Sequence, residues 1–162
     1  MTNLLKEISE KAIKYEDFGF TSEQIKGNWL GTTPATQKQI IEAENRLGVK
    51  LPDDYKEFLS ITNGFYAPND IEPSFENIEN IDFLKNIDKD TIEAYNDINL
   101  ENSIVVGGLN EEQYFLLIPP VLVSDNWKYW KFANWIPGEH AFENLYKYFS
   151  DVLDFINNEY EK

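Results

Sequence analysis

The chain has 162 residues, of which 42% are hydrophobic and 15% aromatic, and its formal net charge is -15. This is enough apolar bulk for the core of one domain, whereas so acidic a chain is repelled by nucleic-acid phosphates and anionic membranes, so neither is expected as a partner. The absence of cysteine and the single histidine, His140, exclude disulfides, thiolate catalysis and multi-histidine metal sites. We therefore expect no metal, no cofactor and no enzyme activity.

The N-terminal segment predicts an amphipathic helix, because apolar residues recur at helical spacing, namely Leu4, Leu5, Ile8, Ala12 and Tyr15. It lacks the apolar run of a signal peptide, and no segment is long enough to span a membrane, so the expected compartment is the cytoplasm. We treat the chain as one domain, with residues 1–20 as a helical extension and residues 29–158 as the core. The connector between them is expected to be anchored by its aromatic residues, which are Phe18, Phe20 and Trp29.

The segment QKQIIEAENRLG predicts a second helix, with Thr36 as its N-cap and Gly48 as a left-handed C-cap. One charged residue, Glu44, falls on the apolar stripe formed by Ile40, Ala43 and Leu47. A carboxylate there needs hydrogen-bond partners, or its pKa must rise. We expect a structural Glu44, held by the Trp29 indole N–H or by backbone N–H groups near the helix ends, rather than a lone catalytic acid.

The segment LPDDYKEFLSITNGF predicts a third, short helix between two stop signals. Leu51-Pro52 is an extended step, Asp53 is expected to cap the helix through its carboxylate, and Asp54 favours the positive end of the helix dipole. This position explains both carboxylates without acid–base catalysis. Asn63-Gly64 is expected to form the C-cap. The buried face of the helix is predicted to carry Tyr55, Phe58, Leu59 and Thr62.

The second half of the chain changes from loops to strands. Residues 65–102 predict a loop-rich region with a short strand or turn in NIENIDFL and a short helix in DKDTIEAYND. SIVVGG, QYFLLIPP and WKYWKFANW have the branched and aromatic content of strands, and AFENLYKYFSDVLDFINNEYEK predicts a long final helix. The order predicts an α+β fold with a mostly antiparallel sheet, helices packed on one face, and helices at both termini.

The segment from Trp29 to Phe65 resembles the SUKH superfamily, the Smi/Knr-type domain. The matching positions are Trp29, Gly31, Ile40, Glu44, Leu47, Gly48, Leu51, Pro52, Tyr55, Phe58, Leu59, Asn63 and Gly64. A later block that includes Trp135 and Gly138 resembles the closing strand, Pro-Gly turn and final helix of the family. The resemblance implies structural roles for these residues within an α+β domain.

The same resemblance implies a function. Bacterial members of the superfamily are mostly immunity proteins, which bind a toxin in the cytoplasm of the producing cell and block it, and many of these toxins are nucleases. Eukaryotic relatives are regulators. The resemblance thus favours binding of a cognate toxin, with an intracellular regulatory scaffold or adaptor as the alternative.

The acidic segment between residues 70 and 112 is the best pointer to a partner, since twelve acids against two lysines give it a net charge of -10. Such a cluster can steer a basic partner, and a nuclease groove is basic because it binds phosphates. The alternative is a solvated surface that only keeps the protein soluble. The candidate contacts are Asp70, Glu72, Glu76, Glu79, Asp82, Asp88, Asp90, Glu93, Asp97, Glu111 and Glu112.

Two tryptophans in an aromatic strand are further candidates. Alternation places Trp127 and Tyr129 on one face and Trp130 on the other, so one set is expected in the core and some of the rest at the surface. Exposed aromatics would serve as anchors for a partner or support a homodimer, so monomer and homodimer both stay open. Core packing alone is the alternative. For His140, a surface or capping role is expected rather than metal binding.

Overall fold

The structure, a computed structural model, describes residues 1–15, 19–133 and 139–160. These ranges contain eight helices, namely α1 (Thr2–Tyr15), α2 (Ser22–Gly27), α3 (Gln37–Leu47), α4 (Asp53–Ile61), α5 (Leu84–Ile87), α6 (Lys89–Tyr95), α7 (Ile98–Asn102) and α8 (Leu145–Tyr160). They also contain five strands, namely β1 (Asp82–Phe83), β2 (Ile104–Gly107), β3 (Tyr114–Ile118), β4 (Lys128–Phe132) and β5 (Glu139–Phe142). Phe18, Trp135 and Gly138 lie outside the described residues.

The five strands form one antiparallel sheet in sequential order, β1-β2-β3-β4-β5. Its central pairing, between β3 and β4, runs without interruption from Tyr114 opposite Phe132 to Ile118 opposite Lys128. The turn from β2 to β3 is short, whereas the connection from β1 to β2 contains α5, α6 and α7. The α+β prediction, with a mostly antiparallel sheet and helices at both ends of the chain, is confirmed.

One face of the sheet carries the main core, which the three longest helices and α4 help to build. α1 packs against α8, and its Leu5, Ile8 and Ala12 are fully buried, as the spacing predicted. The assignment of residues 1–20 as an extension stays a prediction, but α1 shares its core with the rest of the chain. The ring of Phe58 in α4 stacks on that of Phe149 in α8, with centroids 5.6 Å apart.

The opposite face of the sheet is covered by the three short helices α5, α6 and α7. Leu84 and Leu100 pack there with Val105, Leu116 and Trp130 in a second buried cluster. Successive residues of β2 and β3 therefore enter different cores, so their strands are buried on both sides. The long helices lie on one face as expected, whereas this second cover was not expected. The short helix predicted in DKDTIEAYND is α6, whereas α5 and α7, with four and five residues, are too short to show a helical period in the sequence.

Both predicted caps of α3 are confirmed. Thr36 forms a capping box with Gln39, and Gly48 adopts the left-handed conformation at φ 69°. α2, by contrast, lies in the segment predicted as a connector. None of its residues is buried, so the sequence shows no apolar stripe there. A capping box between Thr21 and Gln24 starts it.

Glu44 is buried on the apolar stripe of α3, as predicted. Its carboxylate accepts a hydrogen bond from the Leu51 N–H at 3.0 Å and pairs with the Lys50 ammonium at 2.8 Å. A backbone partner was expected, and the Trp29 indole is not the donor. Burial raises the pKa of Glu44, but these two contacts outweigh it and hold the pKa below its ordinary value of 4.5. The carboxylate thus fastens the Leu51-Pro52 step to α3.

The cap role predicted for Asp53 is wrong, whereas Asp54 lies in the first turn of α4, at the positive end of the helix dipole, as predicted. Pro52 occupies the N-cap position without a side-chain hydrogen bond, and the carboxylate of Asp53 faces solvent, 3.0 Å from Lys56. At the other end, α4 stops at Ile61 with an extended Thr62 as C-cap, so Asn63-Gly64 follows the helix end instead of forming it.

Asp54 connects three elements that are far apart in sequence. One carboxylate oxygen accepts hydrogen bonds from the Tyr55 N–H at 2.8 Å and from the Tyr129 hydroxyl of β4 at 2.6 Å. The other accepts the N–H of Leu145, the first residue of α8, at 3.0 Å. α8 has no intrahelical partner for that N–H, so Asp54 satisfies it from 91 residues away. α4, the sheet and the final helix are therefore held at one point.

The final helix begins later than predicted. Residues 139–142 pair with β4 as the edge strand β5, and α8 starts at Leu145 after Asn144, whose side chain accepts the Lys147 N–H at 2.8 Å. Phe142 therefore belongs to a strand, although it packs against the main core as expected. His140 lies exposed on β5, where its ring stacks on Phe142 with centroids 4.4 Å apart.

We predict that Asp54→Ala lowers the free energy of unfolding by about 3 kcal/mol, because it leaves the Leu145 N–H and the Tyr129 hydroxyl without their acceptor. The matched control is Asp53→Ala, which removes a solvent-exposed carboxylate from the same turn and should leave the free energy of unfolding unchanged. Urea unfolding of both variants measures the difference. Equal losses in the two variants would show that Asp54 holds no special position.

We also predict that Glu44→Gln lowers stability by about 1–2 kcal/mol at pH 7, because the amide cannot pair with the Lys50 ammonium. A lowered pKa means that the carboxylate stabilises the fold above pH 4.5 and loses this effect as the pH falls through its folded-state pKa. The Tm difference between the two proteins should therefore shrink in acid. A difference that is independent of pH would contradict the ionised pairing.

Candidate functional site

A cleft of about 290 Å³ opens beside the exposed side chain of Tyr66. It is formed where the loop after α4, the loop before β1 and the turn between β2 and β3 meet. We call it the acidic cleft, because two carboxylates face it. Its lining residues are Thr32, Gly64, Phe65, Tyr66, Ser74, Phe75, Glu76, Asn77, Asn80 and Glu111.

The floor of the acidic cleft is rigid because backbone pairing and aromatic packing hold it together. Phe65 and Phe75 exchange two backbone hydrogen bonds, of 3.1 and 2.8 Å, and Phe75 also bridges to Gly107 of β2. The ring of Phe75 lies 5.0 Å from Phe115 and 5.2 Å from Phe149, within the main core. The wall of the cleft thus continues directly into the packed interior.

Gly64 is required in this wall for two reasons. Its backbone has φ 116°, a conformation that residues with a Cβ rarely adopt, and an added Cβ would lie 2.7 Å from the Asn77 side-chain oxygen. The preceding Asn63 is buried, and its side-chain oxygen accepts the Ile78 N–H at 2.7 Å. The Asn-Gly pair therefore joins the end of α4 to the loop that carries Glu76.

The two carboxylates of the acidic cleft have different surroundings. Burial raises the pKa of Glu76, a hydrogen bond from the Leu109 N–H lowers it in part, and the negative charge of Glu111 raises it further, so the net shift is upward. Glu111 accepts the Ser74 N–H at 2.9 Å. Within the described ranges neither carboxylate is paired with a lysine or arginine. A cation from outside the chain would lower the energy of both.

Glu72 points inward, away from any partner. Its side chain is 8% exposed and forms an ion pair with Lys131 of β4 at 3.0 Å. The hydroxyl of the buried Tyr148 donates a second hydrogen bond to it at 2.8 Å. Glu72 thus joins its loop to β4 and α8, and its carboxylate is not free to contact another molecule.

Four other candidate acids also accept hydrogen bonds from within the chain. Glu79 accepts hydrogen bonds from Gln39 at 2.5 Å and from Asn63 at 3.1 Å. Burial raises the pKa of Glu79, but these donors outweigh it and lower the pKa overall. The remaining three accept local N–H groups near the short helices, and they are Asp82, Asp88 and Asp97.

The other candidate acids carry exposed carboxylates that have no internal partner in the described part of the chain. Asp70 and Glu112 lie in the loops that also supply Tyr66 and Glu111 to the acidic cleft. Asp90 and Glu93 lie on α6, which covers the other face of the sheet. The acidic segment thus forms two separate surfaces. The order of the acidic residues along the sequence gave no sign of this division.

The two candidate tryptophans differ in burial. Trp130 is 8% exposed and packs in the second core, so it is not available as an anchor. Trp127 is half-buried and lines a wide groove of about 680 Å³, which we call the Trp127 groove. The exposed Tyr146 of α8 lies on the same groove, and Asp54 and Tyr129 form part of its lining.

No metal centre is formed by the described residues, because no three His, Asp or Glu side chains converge. Across the described ranges, no helix combines the length and apolar character needed to cross a bilayer.

Residues 34–158 match the model of the SMI1 / KNR4 family (SUKH-1). The match covers most of the chain and includes the lining of the acidic cleft from Gly64 to Glu111. This domain family is known for immunity and protein-binding roles. No curated protein matches the chain.

We predict opposite effects for two glutamates only four residues apart. Glu72→Gln breaks a buried ion pair and should lower the free energy of unfolding by about 3 kcal/mol. Glu76→Gln removes a desolvated charge from the cleft and should leave Tm unchanged or raise it at pH 7.5.

The effect of Glu76→Gln on Tm should depend on pH. Its raised pKa means that the folded state binds the proton more tightly, so ionised Glu76 costs stability as the pH rises through that pKa. The advantage of Glu76→Gln should therefore disappear below pH 4.5, where the carboxyl is protonated in both folded and unfolded chains. Thermal unfolding from pH 4 to 8 measures it, and a loss of Tm in Glu76→Gln at pH 7.5 would assign Glu76 to the structure instead.

Proposed function

Because the chain belongs to the SMI1 / KNR4 family (SUKH-1), we propose that it is an immunity protein, which binds a cognate bacterial toxin in the cytoplasm and occludes its active site. One observation carries the proposal beyond the family assignment: Glu76 and Glu111 face one cleft beside an exposed tyrosine, and no lysine or arginine of the described chain pairs with either. A basic side chain of the toxin would complete this arrangement.

Electrostatics favours a basic toxin, and a nuclease fits best. The protein carries a net charge of -15, and Asp70 and Glu112 add exposed negative charge next to the acidic cleft. Such a field speeds the encounter with a basic surface and weakens as salt screens it. Nuclease active sites are basic because they bind phosphates, so the carboxylates would take the place of the phosphates.

The proposed mechanism is occlusion without chemistry. The exposed ring of Tyr66 would pack on the toxin, and a lysine or arginine would enter between Glu76 and Glu111. Binding would pair these carboxylates and relieve their mutual repulsion. Pairing with a cation of the toxin would then offset the cost of keeping the Glu76 carboxylate ionised. One immunity protein would block one toxin molecule.

A co-expression experiment tests the function. The toxic domain encoded beside this gene is expressed in a sensitive host with and without the protein, and the two are then purified together. We expect survival only with the protein, and a stable complex. Absence of both rescue and complex would overturn the immunity proposal and favour an intracellular regulatory scaffold or adaptor.

A charge-matched pair of variants tests the acidic cleft. We predict that Glu76→Gln/Glu111→Gln slows association with the toxic domain about fivefold at low salt, because both changes remove charge from the binding surface. Glu10→Gln/Glu159→Gln removes the same charge from exposed positions on α1 and α8 and should slow association less than twofold. Stopped-flow rates at several salt concentrations provide the comparison. Equal rates for the two double variants would place the contact elsewhere.

A further inference from the structure

The loop between β3 and β4 carries three consecutive aliphatic side chains in solvent. Val121 is 74% exposed, Leu122 63% and Val123 107%, and none of them belongs to either buried cluster. We call these three residues the apolar tip. Isolated exposed apolar residues are common, but a contiguous group that packs on nothing in its own fold marks a contact with another molecule.

The local structure holds the apolar tip away from the sheet. Pro119 and Pro120 directly follow β3 and have no N–H to continue its pairing. Beyond the tip, the Asp125 carboxylate accepts the Leu122 N–H at 3.2 Å, and the Asp125 N–H donates to the Leu122 carbonyl at 2.9 Å. These two bonds close a turn around the tip. The aliphatic side chains are thus presented by an ordered turn.

The apolar tip directly precedes the Trp127 groove along the chain. Asn126 and Trp127 follow the turn and line the groove, and Tyr146 lies on the same lining with half of its side chain in solvent. Two lysines on the groove are already paired, Lys50 with Glu44 and Lys56 with Asp53. The lining also includes the exposed Glu143, so the groove combines aromatic surface with negative charge and little unpaired positive charge.

We propose that the apolar tip and Trp127 form a second, hydrophobic contact with the toxin, in which the tip enters an apolar pocket of that basic protein. This inference rests on the proposed function. The occupant follows from charge: a second copy of the chain also carries -15 and is repelled, as is an anionic membrane, whereas a basic protein is attracted.

The two contacts would divide the binding kinetics between them. Exposed carboxylates act at long range and set the association rate, whereas buried apolar anchors chiefly slow dissociation. Loss of the tip should therefore change dissociation and leave the salt dependence of association intact. This signature separates the tip from the acidic cleft.

The test compares two triple variants in binding to the purified toxic domain by surface plasmon resonance. Val121→Ser/Leu122→Ser/Val123→Ser removes the tip and should raise the dissociation rate at least about tenfold. Ile25→Ser/Ile41→Ser/Ile98→Ser removes three exposed aliphatic side chains elsewhere and should change it less than about twofold. Thermal unfolding confirms that both variants are folded, as the exposure of all six side chains leads us to expect.

Each result has a defined reading. Wild-type binding with unchanged dissociation of the tip variant overturns this inference and leaves the proposed function intact. No binding by the wild-type protein overturns both. Two further measurements test the other possible occupants of the tip. Binding of the wild-type protein, but not of the tip variant, to phosphatidylserine vesicles would overturn the inference in favour of a membrane. A wild-type dimer that the tip variant converts to monomer would overturn it in favour of a second copy.

Discussion

The carboxylate of Asp54 joins α4, the sheet and the final helix by hydrogen bonds at one point. It accepts the Tyr129 hydroxyl of β4 and the first N–H of α8, while its own backbone lies in the first turn of α4. These bonds add to the core packing, in which Phe58 of α4 stacks on Phe149 of α8. Trp127 lies two residues before Tyr129, and Tyr146 directly follows Leu145. Asp54 therefore also helps to position the groove on which the proposed hydrophobic contact depends.

The acidic segment serves both the fold and the proposed function, and the partners available inside the chain decide which residue does which. Glu72 and Glu79 accept hydrogen bonds inside the fold, whereas Glu76 and Glu111 face a cleft without a cationic partner. Burial and the negative charge of Glu111 raise the pKa of Glu76, and no lysine or arginine of the described residues offsets them. This is the position at which we propose that a basic side chain of the toxin binds.

The sequence predicted the elements that have a period or a cap. The buried stripes of α1 and α3, the N-cap at Thr36 and the left-handed Gly48 followed from local rules and are confirmed. The branched and aromatic content of the strands predicted an antiparallel sheet, but only the structure gives the order of its strands. The short helices α2, α5 and α7 were missed, since four to six residues are too few to show a period.

The site depends on contacts between distant residues, and there local rules failed. Asp53 and Asp54 look equivalent in the sequence, yet only Asp54 meets a tyrosine 75 residues away. Likewise, no local pattern distinguishes Glu72, which pairs with a lysine 59 residues later, from Glu76, which does not. The aliphatic run after Pro120 was visible in the sequence, but only the structure shows that nothing in the fold covers it.

The central claim is that the protein inactivates its toxin by stoichiometric binding, and a titration of toxin activity tests it most directly. The purified toxic domain is held at a concentration far above the expected dissociation constant, and its activity is measured as the protein is added. The account predicts a linear loss of activity that ends at one protein per toxin. Full activity at equivalence, or inactivation by a small fraction of an equivalent, would contradict it, the second result because it would require catalysis.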